Sequence, residues 1–129
     1  MQDRPDAVEL AQAVREFLQN EIAPSITDER LKFRLLVAMN ALAILARELE
    51  HEDDLLRSEL ENLSVLLGSK IETDPAAGRI NKIIELNRHM TKLIRVGEIP
   101  PGTLSVLKKI VSDKLKIASP KYLERFRPY

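Results

Sequence analysis

An almost uninterrupted apolar stretch in the first half of the chain restricts the folds that this sequence can adopt. Between Leu31 and Leu49, 14 of 19 residues are Ala, Val, Ile, Leu, Met or Phe. A helix that is apolar nearly all round is usually surrounded by other helices. The stretch is too short, and too charged at both ends, to cross a membrane. We therefore predict that a helix over about residues 28–50 forms the centre of a helical bundle.

The remainder of the 129-residue chain predicts further helices around this one. Leu, Ile, Ala, Glu, Lys and Arg dominate and aromatic residues make up 4%, which favours helices over strands. Apolar residues at helical spacing predict a first helix over residues 6–22, with Asp3 as its cap, and later helices over about 52–67, 74–96 and 103–118, followed by a short C-terminal turn. The predicted fold class is all-α, a single-domain bundle of about five helices over residues 1–129.

The same spacing predicts which faces of the three later helices point inward. The third helix is apolar on one side, and the fourth and fifth helices each carry a row of large apolar side chains. We expect the core to contain Leu56, Leu60, Leu63 and Leu67 from the third helix; Ile80, Ile83, Ile84, Met90, Leu93 and Ile94 from the fourth; and Leu104, Leu107, Val111 and Leu115 from the fifth.

Composition excludes several classes of protein. The chain has no Cys, which excludes disulfide frameworks, thiol nucleophiles and cysteine metal sites. The first residues lack the apolar segment of a signal peptide, and no apolar run reaches about 18 residues. We therefore expect a soluble cytoplasmic protein that does not act at a membrane.

The net charge of zero hides a marked asymmetry along the chain. Residues 1–78 contain 8 basic and 16 acidic residues, whereas residues 79–129 contain 12 basic and 4 acidic residues. One interpretation is a basic face that binds nucleic acid, a phosphorylated nucleotide carrier or an acidic partner. The favoured interpretation is that acidic and basic helices lie side by side, within one bundle or across a two-fold homodimer.

Two groups of residues in the basic half are candidates for a binding face. On the fourth helix, Arg88, Lys92 and Arg95 follow the spacing i, i+4, i+7, which predicts one basic stripe. Near the C terminus, Tyr122 and Phe126 are aromatic residues of the kind that anchors interfaces. We predict that these five residues bind an anion or a protein partner; alternatively, the C-terminal segment folds back over the end of the bundle. The basic region has almost no aromatic residues to stack on bases, which argues against nucleic acid.

The sequence contains no complete catalytic or metal-binding motif. Glu48 and His51 have the Glu-x-x-His spacing of di-iron bundles, but that architecture needs the motif twice, and Leu86 stands three residues before the second histidine, His89. Phosphate-binding glycine loops and the Gly-x-Ser-x-Gly motif are absent. We therefore expect no catalytic residue, no metal and no cofactor.

Polar residues inside the apolar stretch are the second candidate site. A buried Asn or Arg costs stability unless it is hydrogen-bonded, so these residues need partners, for which Asn87 and Asp113 are candidates. One interpretation is an internal network that fixes the helix register. The functional alternative is a polar pocket for the head group of a ligand. The predicted ligand-binding residues are Arg34, Asn40, Arg47, Glu48 and Asp113.

Several segments together resemble one uncharacterised bacterial family of small helical domains of unknown function. The similarity lies in the opening residues 2–6, in the run 33–49 with its Asn-Ala-Leu-x-Ile-x-x-Arg-Glu-Leu core over residues 40–49, and in residues 113–115 and 120–123. Members of this family are often encoded beside, or fused to, aminoglycoside-phosphotransferase-like kinases, with acyl-CoA dehydrogenases nearby. The resemblance implies an accessory protein to such an enzyme and implies no catalytic residue.

Two functions follow from the residues and the resemblance together. The leading hypothesis is a non-enzymatic accessory or regulatory module that binds another protein, such as an aminoglycoside-phosphotransferase-like kinase or an acyl-CoA dehydrogenase. The alternative is a protein that binds a phosphorylated or acyl-CoA-type small molecule in the internal polar pocket. A self-sufficient enzyme is the least favoured interpretation.

Overall fold

The all-α fold class predicted from the sequence is confirmed by a computed structural model, which describes residues 4–71 and 76–125. Within those residues the structure has five α-helices and no strand. The helices are α1 (Ala7–Phe17), α2 (Glu29–Leu67), α3 (Ala76–Val96), α4 (Thr103–Ala118) and α5 (Pro120–Arg125). None of these helices combines the length and the apolar character that a membrane span requires.

The first two helices begin at acidic caps. The side chain of Asp6 accepts a hydrogen bond from the Glu9 backbone N–H at 2.9 Å, and the Glu9 side chain accepts one from the Asp6 backbone N–H at 2.9 Å. This reciprocal capping box satisfies two backbone donors and places the cap at Asp6, whereas the predicted cap, Asp3, lies outside the described residues. Asp28 caps α2 by accepting from the Leu31 backbone N–H at 3.0 Å.

The second and third predicted helices are one continuous helix, α2, so the predicted break at about residues 50–52 is wrong. No Gly or Pro occurs between Glu29 and Leu67, and nothing else in that stretch stops a helix. Just beyond the predicted break, Arg57 pairs with Asp53 at 2.8 Å, an i, i+4 pair that supports helical structure. Residues 50–54 are all polar or charged, so the apolar periodicity is interrupted there and suggests a boundary that the backbone does not have.

The helices α2 and α3 end at Leu67 and Val96, as predicted, and a glycine in the left-handed region follows each of them. Gly68 has a φ of 63° and Gly97 a φ of 77°, a conformation that costs glycine little. After α2, the Ser69 N–H donates to the Ser64 carbonyl at 2.9 Å; after α3, the Glu98 N–H donates to the Leu93 carbonyl at 3.0 Å. These bonds satisfy carbonyls that the last helical turn leaves unpaired.

The backbone forms two compact units, Met1–Glu52 and Asp53–Tyr129, and the prediction of a single domain over residues 1–129 stays a prediction. The second unit has a core in which α2, α3 and α4 meet. Its buried members are Leu60 and Leu63 from α2, Ile83 and Leu86 from α3, and Ile110 from α4, with Leu56, Leu67 and Val106 packed against them. The leucine row predicted for residues 56–67 is therefore confirmed.

The inward faces predicted for α3 and α4 need correction. On α3, Ile80, Ile84 and Ile94 are exposed, and the row that is buried contains Arg79, Ile83, Leu86 and Met90. On α4, Leu104 and Val111 are 68% and 55% exposed, whereas Thr103 and Ile110 are buried. Each helix carries two apolar rows, and the spacing of apolar residues alone does not say which row the chain covers.

The apolar stretch of α2 is not enclosed on all sides, contrary to the prediction. Met39 and Ala46 are buried, with Leu35 and Leu42 half-buried, and these four share one face of the helix. On other sides the chain leaves large apolar side chains exposed: Leu31, Phe33, Leu36, Val37, Leu45 and Leu49. The apolar surface of this segment exceeds what the described residues cover.

Substitution of Leu63 tests the core of the second unit. Leu63 is 0% exposed, so Leu63→Ala should lower the free energy of unfolding by about 2–5 kcal/mol, through lost burial and the cavity left behind. Val65, two residues away on the same helix, is 83% exposed. Val65→Ala should therefore change the free energy of unfolding by less than about 0.5 kcal/mol. Urea denaturation followed by circular dichroism measures both; equal effects of the two substitutions would contradict the assignment of the core.

Candidate functional site

The polar residues of the apolar stretch lie on the first unit and are mostly exposed. Arg34, Asn40 and Glu48 are exposed, and Arg47 is half-buried and engaged in an interaction. The expectation that Asn40 is buried and bonded to another helix is wrong, because its side chain lies on an exposed side of α2. Asp113, the fifth residue of the predicted ligand set, belongs to α4 in the second unit. The ligand-binding role of this set stays a prediction.

The two residues expected to serve as partners for this set have other partners. The Asn87 side chain donates to Glu59 Oε1 at 3.3 Å, and Lys114 Nζ donates to the same oxygen at 3.0 Å. Asp113 accepts from Lys109 at 2.8 Å and from Lys116 at 2.7 Å. Glu59 is buried, so its charge is stabilised by these donors. The Glu59 group links α2, α3 and α4 of the second unit, and the bonds from Lys109 and Lys116 to Asp113 lie within α4.

A buried arginine was missed by the sequence analysis. Arg79 is 5% exposed and donates to the Asp53 carboxylate and, at 3.2 Å, to the Asp53 backbone carbonyl. The hydrogen bond from Arg79 is the main reason that the pKa of Asp53 lies below its ordinary value of 3.8. The spacing of Arg79, Ile83, Leu86 and Met90 is i, i+4, i+7, i+11, and this signal could have placed the arginine on the inward face.

The interpretation of the charge asymmetry as acidic beside basic helices is confirmed within the second unit. Asp53 and Glu59 come from the acidic part of the chain, and they pair with Arg79 and Lys114 from the basic part. Ion pairs of this kind neutralise only some of the basic residues of the second unit. The remaining basic residues of the second unit are therefore the ones to consider for binding.

The basic stripe predicted on α3 is exposed. Arg88, Lys92 and Arg95 are all exposed, and no ion pair or hydrogen bond involves their side chains within residues 4–71 and 76–125. By contrast, Lys82, one and a half turns earlier on the same helix, pairs with Glu85 at 3.1 Å. The stripe is a surface of three cations whose charge the described part of the chain does not neutralise.

An apolar groove lies between α4 and α5. Its volume is about 310 Å³, at the lower end of the range for small-molecule sites. Tyr122, one of the predicted interface residues, is part of its wall, whereas Phe126 lies outside the described residues. The groove is lined by Leu104, Leu107, Lys108, Val111, Ser112, Leu115, Tyr122 and Leu123. The exposed row of α4 is thus one wall of this groove.

The described residues bring together no group of three or more His, Asp or Glu side chains that could hold a metal ion. His51 lies 3.7 Å from Glu50 through its Nε2 atom, and its side chain is 53% exposed. Glu48, the other half of the Glu-x-x-His pair, is exposed on the same uninterrupted helix. The pair therefore lies on the open surface of a helix.

Fold and surface together define a small all-α protein that presents a cationic stripe on α3 and an apolar groove between α4 and α5. Comparison with family models narrows this class further. The chain belongs to the family described as domain of unknown function (DUF6285), whose model matches residues 24–122. No curated protein and no solved structure gave a match.

The stability of the fold at acid pH tests the environment of Asp113. Burial of this carboxylate raises its pKa, but the hydrogen bonds from Lys109 and Lys116 lower it by more, so the pKa lies below 3.8. A carboxylate with a lowered pKa contributes stability that is present above the unfolded-state pKa and is lost as the pH falls through the folded-state pKa. The free energy of unfolding should therefore drop between about pH 5 and pH 2, and less steeply in Asp113→Asn.

Removal of both lysines provides the matching control. Lys109→Gln with Lys116→Gln takes away the two donors while keeping the carboxylate, and should flatten the same part of the pH dependence. Urea denaturation at a series of pH values measures this pH dependence, because urea is uncharged and does not screen the ion pairs. If Asp113→Asn showed the full wild-type slope, the lysine pairs would contribute nothing to stability.

Proposed function

We propose that this protein is a non-enzymatic accessory module that binds an acidic surface of another protein through the α3 stripe. The observation that carries the proposal is the exposure of Arg88, Lys92 and Arg95 on one face without a neutralising partner in the described residues. Three like charges on neighbouring turns repel one another. A complementary acidic surface removes that repulsion and attracts the module over a long range.

The contrast with the other basic residues of the second unit supports this assignment. Arg57, Arg79, Lys82, Lys109, Lys114 and Lys116 each pair with a carboxylate. Lys70, Lys108, Lys121 and Arg125 of the second unit are also exposed and make no ion pair among the described residues. Among all these unpaired cations, only the α3 stripe places three on one face of a helix.

The surroundings of the stripe favour a protein over a nucleic acid. Ile84, one turn before Arg88, is 43% exposed, and Ile80 before it is 49% exposed. Apolar side chains beside arginine are typical of protein interfaces. No Phe, Tyr or Trp occurs on α3, so this face offers no aromatic ring to stack on bases.

The resemblance noted in the sequence supplies the class of partner. It implies an aminoglycoside-phosphotransferase-like kinase or an acyl-CoA dehydrogenase in the bacterial cytoplasm as the enzyme that the module accompanies. In this proposal the module contributes a docking surface and no reacting group. Its effect on the enzyme is regulatory or positional.

Charge reversal on the stripe tests the proposal. Purified kinase and dehydrogenase from the same host are immobilised in turn, and binding of the wild-type chain is measured by biolayer interferometry. Arg88→Glu, Lys92→Glu and Arg95→Glu together should weaken binding at least about tenfold, because like charges then face each other. Raising NaCl from about 0.05 to 0.5 M should weaken wild-type binding as well.

A charge-matched variant controls for the change in net charge. Arg15→Glu, Lys70→Glu and Lys121→Glu reverse three exposed cations that are not part of α3, and this variant should bind like the wild type. If neither enzyme binds the wild-type chain, or if both triple variants bind equally, the proposal is wrong.

A second candidate function rests on the groove between α4 and α5. Its wall is formed mostly by leucine and valine side chains, with Lys108 among the lining residues. An apolar chain with an acidic head group fits that combination, because the chain gains burial and the head group gains a cation. The acyl-CoA type of ligand predicted from the sequence thus finds a candidate place here instead of at Asn40.

Calorimetric titration with a long-chain acyl-CoA tests this second candidate. Binding should be lost in Leu107→Trp, which fills the groove, and weakened several-fold in Lys108→Glu through repulsion of the head group. Val65→Trp, at an exposed position away from the groove, should leave it unchanged. Unaltered binding in Leu107→Trp would place the ligand elsewhere, and absence of binding to the wild type would reject the candidate.

A further inference from the structure

The first unit exposes an apolar row on α2. Phe33, Val37, Ala41, Leu45 and Leu49 follow each other at intervals of four residues, and all five are exposed. Phe33 is 67% exposed and Val37 is 54% exposed. Residues spaced by four form a continuous ridge along a helix, the kind of ridge that packs into the groove of another helix.

This row lies on a different side of α2 from the face that the unit buries. At 100° per residue, the row is centred roughly 130° from the face of Leu35, Met39, Leu42 and Ala46. A helix that is apolar on two sides needs a partner on each. The described residues cover one of these sides and leave the other uncovered.

The row is symmetric about its central residue. Ala41 is the small residue in the middle, Val37 and Leu45 lie four residues to either side of it, and Phe33 and Leu49 lie eight residues to either side. Two copies of α2 that cross in opposite directions at Ala41 would set Val37 against Leu45 and Phe33 against Leu49. A small residue at the crossing point lets the two backbones approach closely.

The charges that flank the row are antisymmetric about the same residue. Arg34 and Glu48 lie seven residues before and after Ala41, and Arg30 and Glu52 lie eleven residues before and after it. All four are exposed, on the same side of α2 as the row, and none makes an ion pair in the part of the chain that the structure describes. Antiparallel copies would bring each arginine near a glutamate, whereas parallel copies would bring like charges together.

We propose that the exposed row of α2 binds the same row of a second copy of this chain, antiparallel and with Ala41 on the two-fold axis. The symmetric apolar residues and the antisymmetric charges make this surface complementary to itself, which is the requirement for an isologous dimer. The exposed stripe of α1, Leu10, Val14 and Phe17, adds apolar surface within the same unit. A standard interface covers about 800 Å² of each partner, so the row and its flanking charges would form the centre of the contact surface.

This inference is independent of the function proposed for α3, which belongs to the second unit. Loss of dimerisation in a variant that still binds the immobilised enzyme would leave that function standing. The reverse result, a dimer that binds no enzyme, would leave the dimer standing. The two proposals therefore fail separately.

Sedimentation equilibrium of the full chain tests the proposal. Concentrations of about 1–100 µM cover the dissociation constants that a moderately stable dimer has. The wild type should have twice the mass of the chain at the upper end. Ala41→Glu sets two like charges on the axis and should raise the dissociation constant at least about tenfold. Val65→Glu introduces the same charge at an exposed apolar position of the second unit and should have no effect.

A charge swap distinguishes antiparallel pairing from other arrangements. Arg34→Glu alone and Glu48→Arg alone should each raise the dissociation constant by about tenfold, since each substitution creates two like-charge pairs in the dimer, one on either side of the axis. The double variant Arg34→Glu with Glu48→Arg restores opposite pairs and should return to within about threefold of the wild type. Circular dichroism confirms that each variant is folded. A monomeric wild type, a dimer indifferent to Ala41→Glu, or a double variant as weak as the single ones would overturn the proposal.

Discussion

The packing of the second half of α2 against α3 and α4 is the interaction on which the second unit depends. Leu63 is completely buried at this junction, and the buried residues around it come from all three helices. Polar side chains at the margin of the junction are paired across the same helices, as in Arg79 with Asp53 and Lys114 with Glu59. Apolar burial thus fixes which faces meet, and the ion pairs fall where acidic and basic helices are already adjacent.

Local signals in the sequence were sufficient to predict the C-terminal ends of α2 and α3 and part of the core. Gly68 and Gly97 end their helices through backbone conformations that glycine adopts readily, and that information is contained in a single residue. The leucine row of residues 56–67 was predictable because it is the only apolar row on its side of α2. The fold class required no more than this periodicity and the scarcity of strand-forming residues.

The remaining features depend on which of two apolar faces the chain covers, and periodicity does not contain that information. On α4 the row of Leu104, Leu107, Val111 and Leu115 is as regular as a core row, yet it forms the wall of a groove. Asn40 looked like a buried polar group only because its neighbours are apolar, and its side of α2 is exposed. The basic stripe on α3 could be predicted from spacing. Its lack of partners among the described residues could not, because that depends on where the carboxylates of the other helices lie.

The junction of α2, α3 and α4 contains one acceptor that serves two helices at once. A single oxygen of Glu59 receives hydrogen bonds from Asn87 and from Lys114. Since both donors use the same atom, the energetic value of each depends on whether the other is present. Substitutions at these three positions will therefore show epistasis. Which residue is tolerated at one of the positions will depend on which residues occupy the other two.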